Sequence, residues 1–195
     1  LNLALPSLLV TFLNGLLAAF SESYVVVLGI YYKLQTFLYL PANGIVQGMR
    51  PLIGYNYGAK EHARVAKLYQ LTLGMSAVIM AAGTLLAWLL PTQIMGLFDA
   101  DRALIAVGVP MLRITSLGFL VSTLGTVLAG CFEALGKGLR SLAVSCIRQL
   151  IIIPPLALVF SRFWGLNGVW ATFPVAETLA ALGAVLLYFR LMKQL

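Results

Sequence analysis

Long apolar runs dominate this chain and decide what it can fold into. Hydrophobic residues make up 61% of its 195 residues and charged residues only 10%, whereas soluble domains carry about 25% charged residues. Lipid offers no hydrogen-bond partner to an open sheet edge, so segments this apolar cross a membrane as helices. At roughly 20 apolar residues per span plus short loops, the length predicts an all-α membrane protein with about six transmembrane helices.

Polar turns and prolines divide the apolar sequence into predicted spans. These cover approximately residues 1–20, 24–53, 68–90, 103–135, 142–160 and 168–189. Pro91 ends the third span, and the pair Pro154-Pro155 is expected to kink the fifth, because proline lacks a backbone donor and clashes with the preceding turn. The basic tract 60–67 is an interfacial turn or the start of the third helix, and 161–167 is a loop. We therefore expect one six-helix lobe.

The charges favour one orientation in the membrane. If the first helix runs outward, the outer loops hold only the basic residues Arg102 and Arg162, with Asp99 and Asp101 beside them. The inner side then collects Arg50, Lys60, Arg64, Lys67, Lys137, Arg140, Arg190 and Lys193. The positive-inside rule places both ends of this chain in the cytoplasm. The net charge of +7 does not indicate nucleic acid, because the basic residues are scattered and form no basic face.

Two blocks of small, polar and proline residues interrupt the apolar runs. The first occupies residues 41–48 (PANGIVQG) and 51–59 (PLIGYNYGA). The second occupies residues 131–141 (CFEALGKGLRS) and continues through Arg148-Gln149, Pro154 and residues 165–171 (GLNGVWA). In their order and separation these blocks resemble a lobe of the multidrug and toxic compound extrusion (MATE) transporters. The resemblance covers nearly the whole chain.

The resemblance implies a transporter of two six-helix lobes, of which this chain is the second and the amino-terminal lobe is missing. Members of the family export drugs in exchange for H⁺ or Na⁺ by rocking the lobes, as repeat-built transporters do. The implied partners are a small organic cation or amphipathic substrate, the coupling H⁺ or Na⁺, the lipid bilayer and the other lobe. Neither a cofactor nor an enzymatic reaction is implied, and the implied location is a cell membrane.

The chain departs from the family where one branch places coupling carboxylates. In that branch a glutamate of the first helix follows a proline by about eight residues, and counting from Pro6 gives Asn14. The branch also has an aspartate shortly after the fourth-helix glycine, whereas Gly136 is followed by Lys-Gly-Leu. In another branch the coupling carboxylate belongs to the first lobe. The resemblance therefore does not carry ion coupling over to this lobe.

Polar residues inside the predicted spans are the candidate substrate or ion pathway, because they are costly in lipid and must face protein or water. They are Asn14, Gln35, Asn43, Gln47, Glu133, Arg148 and Glu177. A structural role is the alternative, since buried amides often serve only to form hydrogen bonds between helices. Glu133, a carboxylate near the membrane end of its helix, is a candidate for proton exchange, but it can also pair with Lys137. Glu177 can pair with Arg148 or Arg113.

Other functional classes remain open beside antiport. A lipid-linked oligosaccharide flippase of the same superfamily needs a cationic cavity, for which the sequence offers Lys33, Arg113 and Arg148. A membrane-embedded enzyme needs convergent nucleophile, base or metal ligands, but the single His62 comes without an HExxH or GxSxG motif. No catalytic or metal-binding residue is therefore predicted. A non-transporting membrane scaffold is disfavoured by the polar residues inside the spans.

Overall fold

The computed structural model describes residues 5–98 and 100–192, with side chains through residue 187. This part of the chain is helical and contains no strand. The helices are α1 (Leu5–Ala18), α2 (Glu22–Gly58), α3 (His62–Leu89), α4 (Pro91–Gly96), α5 (Arg102–Ala134), α6 (Gly138–Cys146) and α7 (Ile153–Met192), with a π-helical turn (Ile147–Ile152) between the last two.

The length and composition of these helices fit a membrane protein. The helices α2, α3, α5 and the continuous segment Gly138–Leu187 are each long and apolar enough to cross a bilayer, which confirms the predicted all-α membrane fold. The shorter α1 is also apolar. The predicted start of the first span, at residues 1–4, lies outside the described residues, as do Asp99 and the side chains of Arg190 and Lys193.

The second and third helices are longer than the sequence predicts. Helix α2 runs through Pro41 and Pro51 to Gly58 rather than ending near residue 53, since a proline removes a single N–H donor from a helix of 37 residues. Helix α3 begins at His62 rather than at residue 68, so the basic tract forms its first turns. The reversal between them is at Lys60, whose φ is 60°.

The last apolar segment reverses direction at Gly165. This residue has φ 57° and ψ −138°, a conformation that glycine adopts far more readily than other residues. In a straight helix Arg148 and Glu177 would lie roughly 40 Å apart, at 1.5 Å per residue, yet their side chains form an ion pair. The two arms therefore fold back on one another. They correspond to the fifth and sixth predicted spans, and the predicted loop 161–167 shrinks to this one non-helical residue.

A π-helical turn lies directly ahead of the adjacent prolines, where the sequence predicts a kink. The amide of Ile153 donates to the carbonyl of Arg148, five residues earlier. Pro154 and Pro155 have no N–H to offer the carbonyls one helical turn before them, and the wider turn lies directly ahead of that gap. Turns of this kind recur at functional sites because they change the direction of their side chains. Here the turn carries Arg148 and Gln149.

Helix α5 is central, because it packs against α2, α3, α4, α6 and α7. In lipid, helices associate mainly by close packing, which small residues at the contact allow. A Cβ placed on Gly118 of α5 would lie 3.1 Å from Cα of Pro174 in α7, so a larger side chain would push the two backbones apart. The largest fully buried side chains include Trp170, Tyr31, Phe119 and Phe132.

Candidate functional site

An ion pair joins the π turn to α7. Nη1 of Arg148 lies 2.6 Å from Oε1 of Glu177, and the two side chains are 29% and 13% exposed. A single charge inside a membrane protein is costly, and pairing offsets much of the desolvation penalty. The sequence predicts Arg148 or Arg113 as the partner of Glu177. In the structure the partner is Arg148, and Arg113 lies exposed on α5.

Two cavities adjoin this ion pair. The cavity that we call the α1 cavity has a volume of about 260 Å³ and includes residues of α1, α2, the π turn and α7. The cavity that we call the α5 cavity has a volume of about 250 Å³ and includes residues of α2, α5, α6 and α7. Both walls contain Tyr39, Asn43, Arg148 and Glu177. These four residues form the partition between the cavities.

One face of α2 supplies a polar stripe to both cavities. Gln35 lines the α1 cavity, Gln47 and Arg50 line the α5 cavity, and Tyr39 and Asn43 line both. The spacing of four, four, four and three residues places all five on one side of a helix. The three amides are among the candidates that the sequence indicates, whereas Tyr39 and Arg50 are not. The same spacing rule could have found both, but Arg50 was counted only as a cytoplasmic charge.

A directed hydrogen-bond chain fixes Tyr39 against α5. The Tyr39 hydroxyl hydrogen-bonds to Oγ of Ser122, and Oγ of Ser122 lies 2.7 Å from the carbonyl oxygen of Phe119, to which it donates. A serine hydroxyl carries one proton, so Tyr39 is the donor to Ser122. The lone pairs of the Tyr39 oxygen are then left as acceptors in the partition.

A second ion pair adjoins the α5 cavity through Arg50 and ties three helices together. Nη2 of Arg50 in α2 lies 2.5 Å from Oε2 of Glu133 in α5, and the Ser141 hydroxyl of α6 donates to Oε1 of Glu133 at 2.8 Å. The partner of Glu133 is therefore Arg50 and not Lys137. Helix α5 ends before Lys137, and the turn at Gly136 with φ 71° breaks the spacing that would align Lys137 with Glu133.

Several buried polar atoms near these cavities have no hydrogen-bond partner in the described part of the chain. They include the Tyr32 hydroxyl, Oε1 of Gln149 and Nε of Arg50. Tyr32 and Gln149 belong to the wall of the α1 cavity, and Arg50 belongs to that of the α5 cavity. Buried polar groups are nearly always satisfied in native proteins, so these atoms mark positions for water or a ligand.

The other two candidates lie outside the cavity walls. Asn14 is half-buried on α1 and is absent from both linings. Glu133 contacts the α5 cavity only through Arg50. Five of the seven candidates thus meet around one partition, namely Gln35, Asn43, Gln47, Arg148 and Glu177.

Sequence relatives of this chain are export proteins. The multidrug export protein MepA of Staphylococcus saprophyticus is 29% identical over 183 residues, which cover 94% of this chain and 40% of that protein. MepA of Staphylococcus aureus gives the same identity and coverage. The chain therefore spans about two-fifths of the length of these relatives.

Solved structures of similar fold include MATE transporters. The MATE multidrug transporter DinF-BH superposes with a TM-score of 0.84 at 32% identity, over 97% of this chain and 43% of that one. The Vibrio cholerae MATE transporter VcmN in its bent form superposes with a TM-score of 0.92 at 20% identity, over 99% of this chain and 44% of that one. At 20% identity, the similarity to VcmN is evidence for the fold alone.

The family assignment rests on a separate match. The MatE family model covers residues 1–159, which is most of the chain, and this match confirms the resemblance carried by the sequence blocks. The chain belongs to the MatE family, the multidrug and toxic compound extrusion transporters.

Proposed function

We propose that this chain is the carboxy-terminal lobe of a secondary active antiporter that exports cationic or amphipathic compounds in exchange for H⁺ or Na⁺. The observation that carries the proposal is the Arg148–Glu177 ion pair in the partition between two cavities. An ionisable residue inside a membrane domain is by default a candidate for a substrate or ion path. Glu177 borders both cavities, so a cation from either one reaches it.

The walls of the cavities support an amphipathic substrate. The amides Gln35, Asn43 and Gln47 offer hydrogen bonds along α2, while aromatic residues such as Phe173 offer apolar contact in the α1 cavity. Ligand sites combine an apolar wall with a few polar groups in this way. We assign the pathway to these amides together with Arg148 and Glu177.

The remaining polar candidates take subsidiary places in this proposal. Glu133 holds Arg50 at the end of the α5 cavity, which we place on the cytoplasmic side together with the exposed Arg64 and Lys67 of α3. Asn14 on α1 is a further polar group of the path, outside the two cavities. In this orientation both ends of the chain face the cytoplasm, and a second lobe completes the transporter.

One observation favours a second candidate function, a flippase for lipid-linked oligosaccharides. Arg50 and Arg148 both belong to the wall of the α5 cavity, so two guanidinium groups border this cavity beside Glu177. A phosphate-bearing lipid headgroup is the ligand that such a pair of guanidinium groups binds well. Transfer of a fluorescent phospholipid across vesicle bilayers containing the full-length protein distinguishes this activity from drug export.

Drug accumulation in cells that express the full-length protein tests the antiport proposal. Cells with the protein should accumulate less of a fluorescent organic cation than cells with an empty vector. A selective ionophore then collapses either the proton gradient or the sodium gradient. Collapsing the gradient of the coupling ion should abolish the difference in accumulation between the two kinds of cell. Export that continues unchanged after both gradients have been collapsed would contradict antiport.

A further inference from the structure

An apolar groove lies between the two arms of the last apolar segment. Its volume is about 310 Å³, and its wall contains no polar side chain among the residues that the structure describes. The wall includes Val144 and Ile147 on the first arm and Leu179, Gly183 and Leu186 on the second. All but Val144 of these five are exposed. Because both arms belong to a segment that is long and apolar enough to cross a bilayer, the groove opens to the hydrocarbon of the membrane.

Gly183 keeps the groove open. Small residues on membrane helices usually let a neighbouring helix approach closely, but a Cβ at Gly183 would meet no atom within 4 Å. The glycine therefore leaves a notch on α7 that no other helix of the described chain fills. Atoms that line such a notch lack partners for van der Waals contact on one side, and a flexible alkyl chain supplies them.

The groove matches one leaflet of a bilayer in length. Along α7 its wall runs from Leu179 to Leu187, roughly 12 Å at the helical rise per residue. A shallower groove beside Pro174 and Thr178 continues it, since Leu179 belongs to both walls. From Pro174 to Leu187 the two grooves cover about 20 Å of α7, whereas one leaflet contributes about 15 Å of hydrocarbon. An extended acyl chain therefore fits along the groove.

Two basic residues lie where α6 begins, at one end of the groove. Arg140 precedes Val144 by four residues, so the two share one face of α6, and Lys137 is the N-cap residue of this helix. Among the described residues neither of the two basic side chains forms an ion pair. Glu133, the carboxylate nearest to them in sequence, pairs with Arg50 instead. Both positive charges are therefore available to an anionic group at the end of the groove.

We propose that the groove binds one anionic phospholipid, with an acyl chain between the two arms and the phosphate on Arg140 and Lys137. A guanidinium group binds phosphate through paired N–H donors, and basic residues at the end of membrane helices bind anionic headgroups. An apolar wall that ends in two unpaired positive charges has the same polarity as such a lipid. The site lies outside the proposed transport path and goes beyond the proposed export function.

Position favours a lipid over a protein in this groove. Val144 and Ala180 belong both to the wall of the groove and to that of the α5 cavity, so the groove lies on the other side of these two residues from the cavity. In the proposed transporter the second lobe completes the path at the cavities, which leaves the groove to the bilayer. A second copy of this chain would bring further apolar residues to the groove but no phosphate to Arg140 and Lys137.

Two phospholipids with the same acyl chains test this inference. Dioleoylphosphatidylglycerol carries a net negative charge, and dioleoylphosphatidylcholine carries none. Native mass spectrometry of the purified full-length protein measures the affinity of the first lipid that binds. We expect phosphatidylglycerol to bind about 25-fold more tightly than phosphatidylcholine, because each of the two basic residues contributes a factor of about five.

Variants locate the lipid in the groove. Arg140→Gln should weaken phosphatidylglycerol binding about fivefold and leave phosphatidylcholine binding unchanged. Gly183→Phe fills the groove and should weaken the binding of both lipids. The matched controls are Arg162→Gln, at an exposed arginine near the chain reversal, and Gly74→Phe, at an exposed glycine of α3 whose Cβ would meet no atom within 4 Å. Neither control should change either affinity, and melting temperatures report whether each variant is folded.

Equal affinity of the wild type for the two lipids would overturn the inference, and this comparison decides even if a variant fails to fold. Unchanged phosphatidylglycerol binding in folded Arg140→Gln or in folded Gly183→Phe would overturn it as well. Loss of the preference in Arg148→Gln but not in Arg140→Gln would place the phosphate in the α5 cavity and contradict the groove site. A dimer that dissociates in Gly183→Phe would show that a second copy of the protein occupies the groove in place of a lipid.

Discussion

Arg148 and Glu177 are separated by 29 residues of sequence, yet Nη1 of the one lies 2.6 Å from Oε1 of the other. Two departures from regular helix bring them together. The π turn carries Arg148 just ahead of two prolines, and the break at Gly165 folds the second arm back along the first. This charged centre of the helical packing therefore depends on irregular backbone that proline and glycine produce.

Removing one partner of this pair should destabilise the protein. In Glu177→Leu the guanidinium of Arg148 loses its counterion, and breaking a buried pair in this way costs about 3 kcal/mol. The double variant Arg148→Met/Glu177→Leu removes both charges and should stay within about 1 kcal/mol of the wild type. Thermal unfolding of detergent-purified protein measures both. A single variant as stable as the double one would show that the pair contributes nothing.

Substituting the glycine at the reversal should also lower stability. In Gly165→Ala the side chain must adopt the backbone conformation at φ 57° and ψ −138°, at a cost of about 1–3 kcal/mol. Gly15→Ala is the matched control, because a Cβ at this position in α1 meets no atom within 4 Å and alanine favours the helix by about 0.5–1 kcal/mol. The melting temperature should fall in Gly165→Ala and rise in Gly15→Ala. Equal shifts in the two variants would contradict the chain reversal at Gly165.

Neutralising the second ion pair should impair transport without preventing membrane insertion. Glu133→Gln keeps an acceptor for the Ser141 hydroxyl but leaves Arg50 without its carboxylate. A change of about 1 kcal/mol in the relative stability of transport states would reduce gradient-driven efflux about fivefold.

An exposed ion pair provides the control for Glu133→Gln. Glu61 lies 4.0 Å from Arg64, with both side chains more than half exposed, and surface pairs of this kind contribute little. Glu61→Gln should therefore leave efflux unchanged. Wild-type efflux in Glu133→Gln, at equal amounts of protein in the membrane, would show that Glu133 is a structural residue.

The sequence was sufficient for the fold class and for the approximate positions of the helices, because apolar length is a strong signal in membrane proteins. It was not sufficient for the helix ends. Pro41 and Pro51 lie inside α2 without ending it, since packing against neighbouring helices outweighs one missing hydrogen bond each. Helix α4 also went unpredicted, because its six residues are too short for a periodic pattern.

The candidate site was predictable in part. Gln35, Asn43 and Gln47 were predictable because they are polar residues inside an apolar run, and in the structure they share one face of α2. Arg50 lies on the same face, but position along the chain alone does not tell a cytoplasmic charge from one that borders a cavity. The contact of Arg50 with Glu133 spans 83 residues of sequence, and only the packing of α2 on α5 determines it.

The most direct test of the account is transport by the full-length protein reconstituted into vesicles, with and without Glu177→Gln. The wild type should concentrate a fluorescent organic cation against its gradient only when an H⁺ or Na⁺ gradient is imposed. Folded Glu177→Gln should lose most of this accumulation, because the carboxylate between the two cavities is gone. Equal gradient-driven accumulation by the wild type and by Glu177→Gln would contradict the assignment of the Arg148–Glu177 pair to the transport pathway.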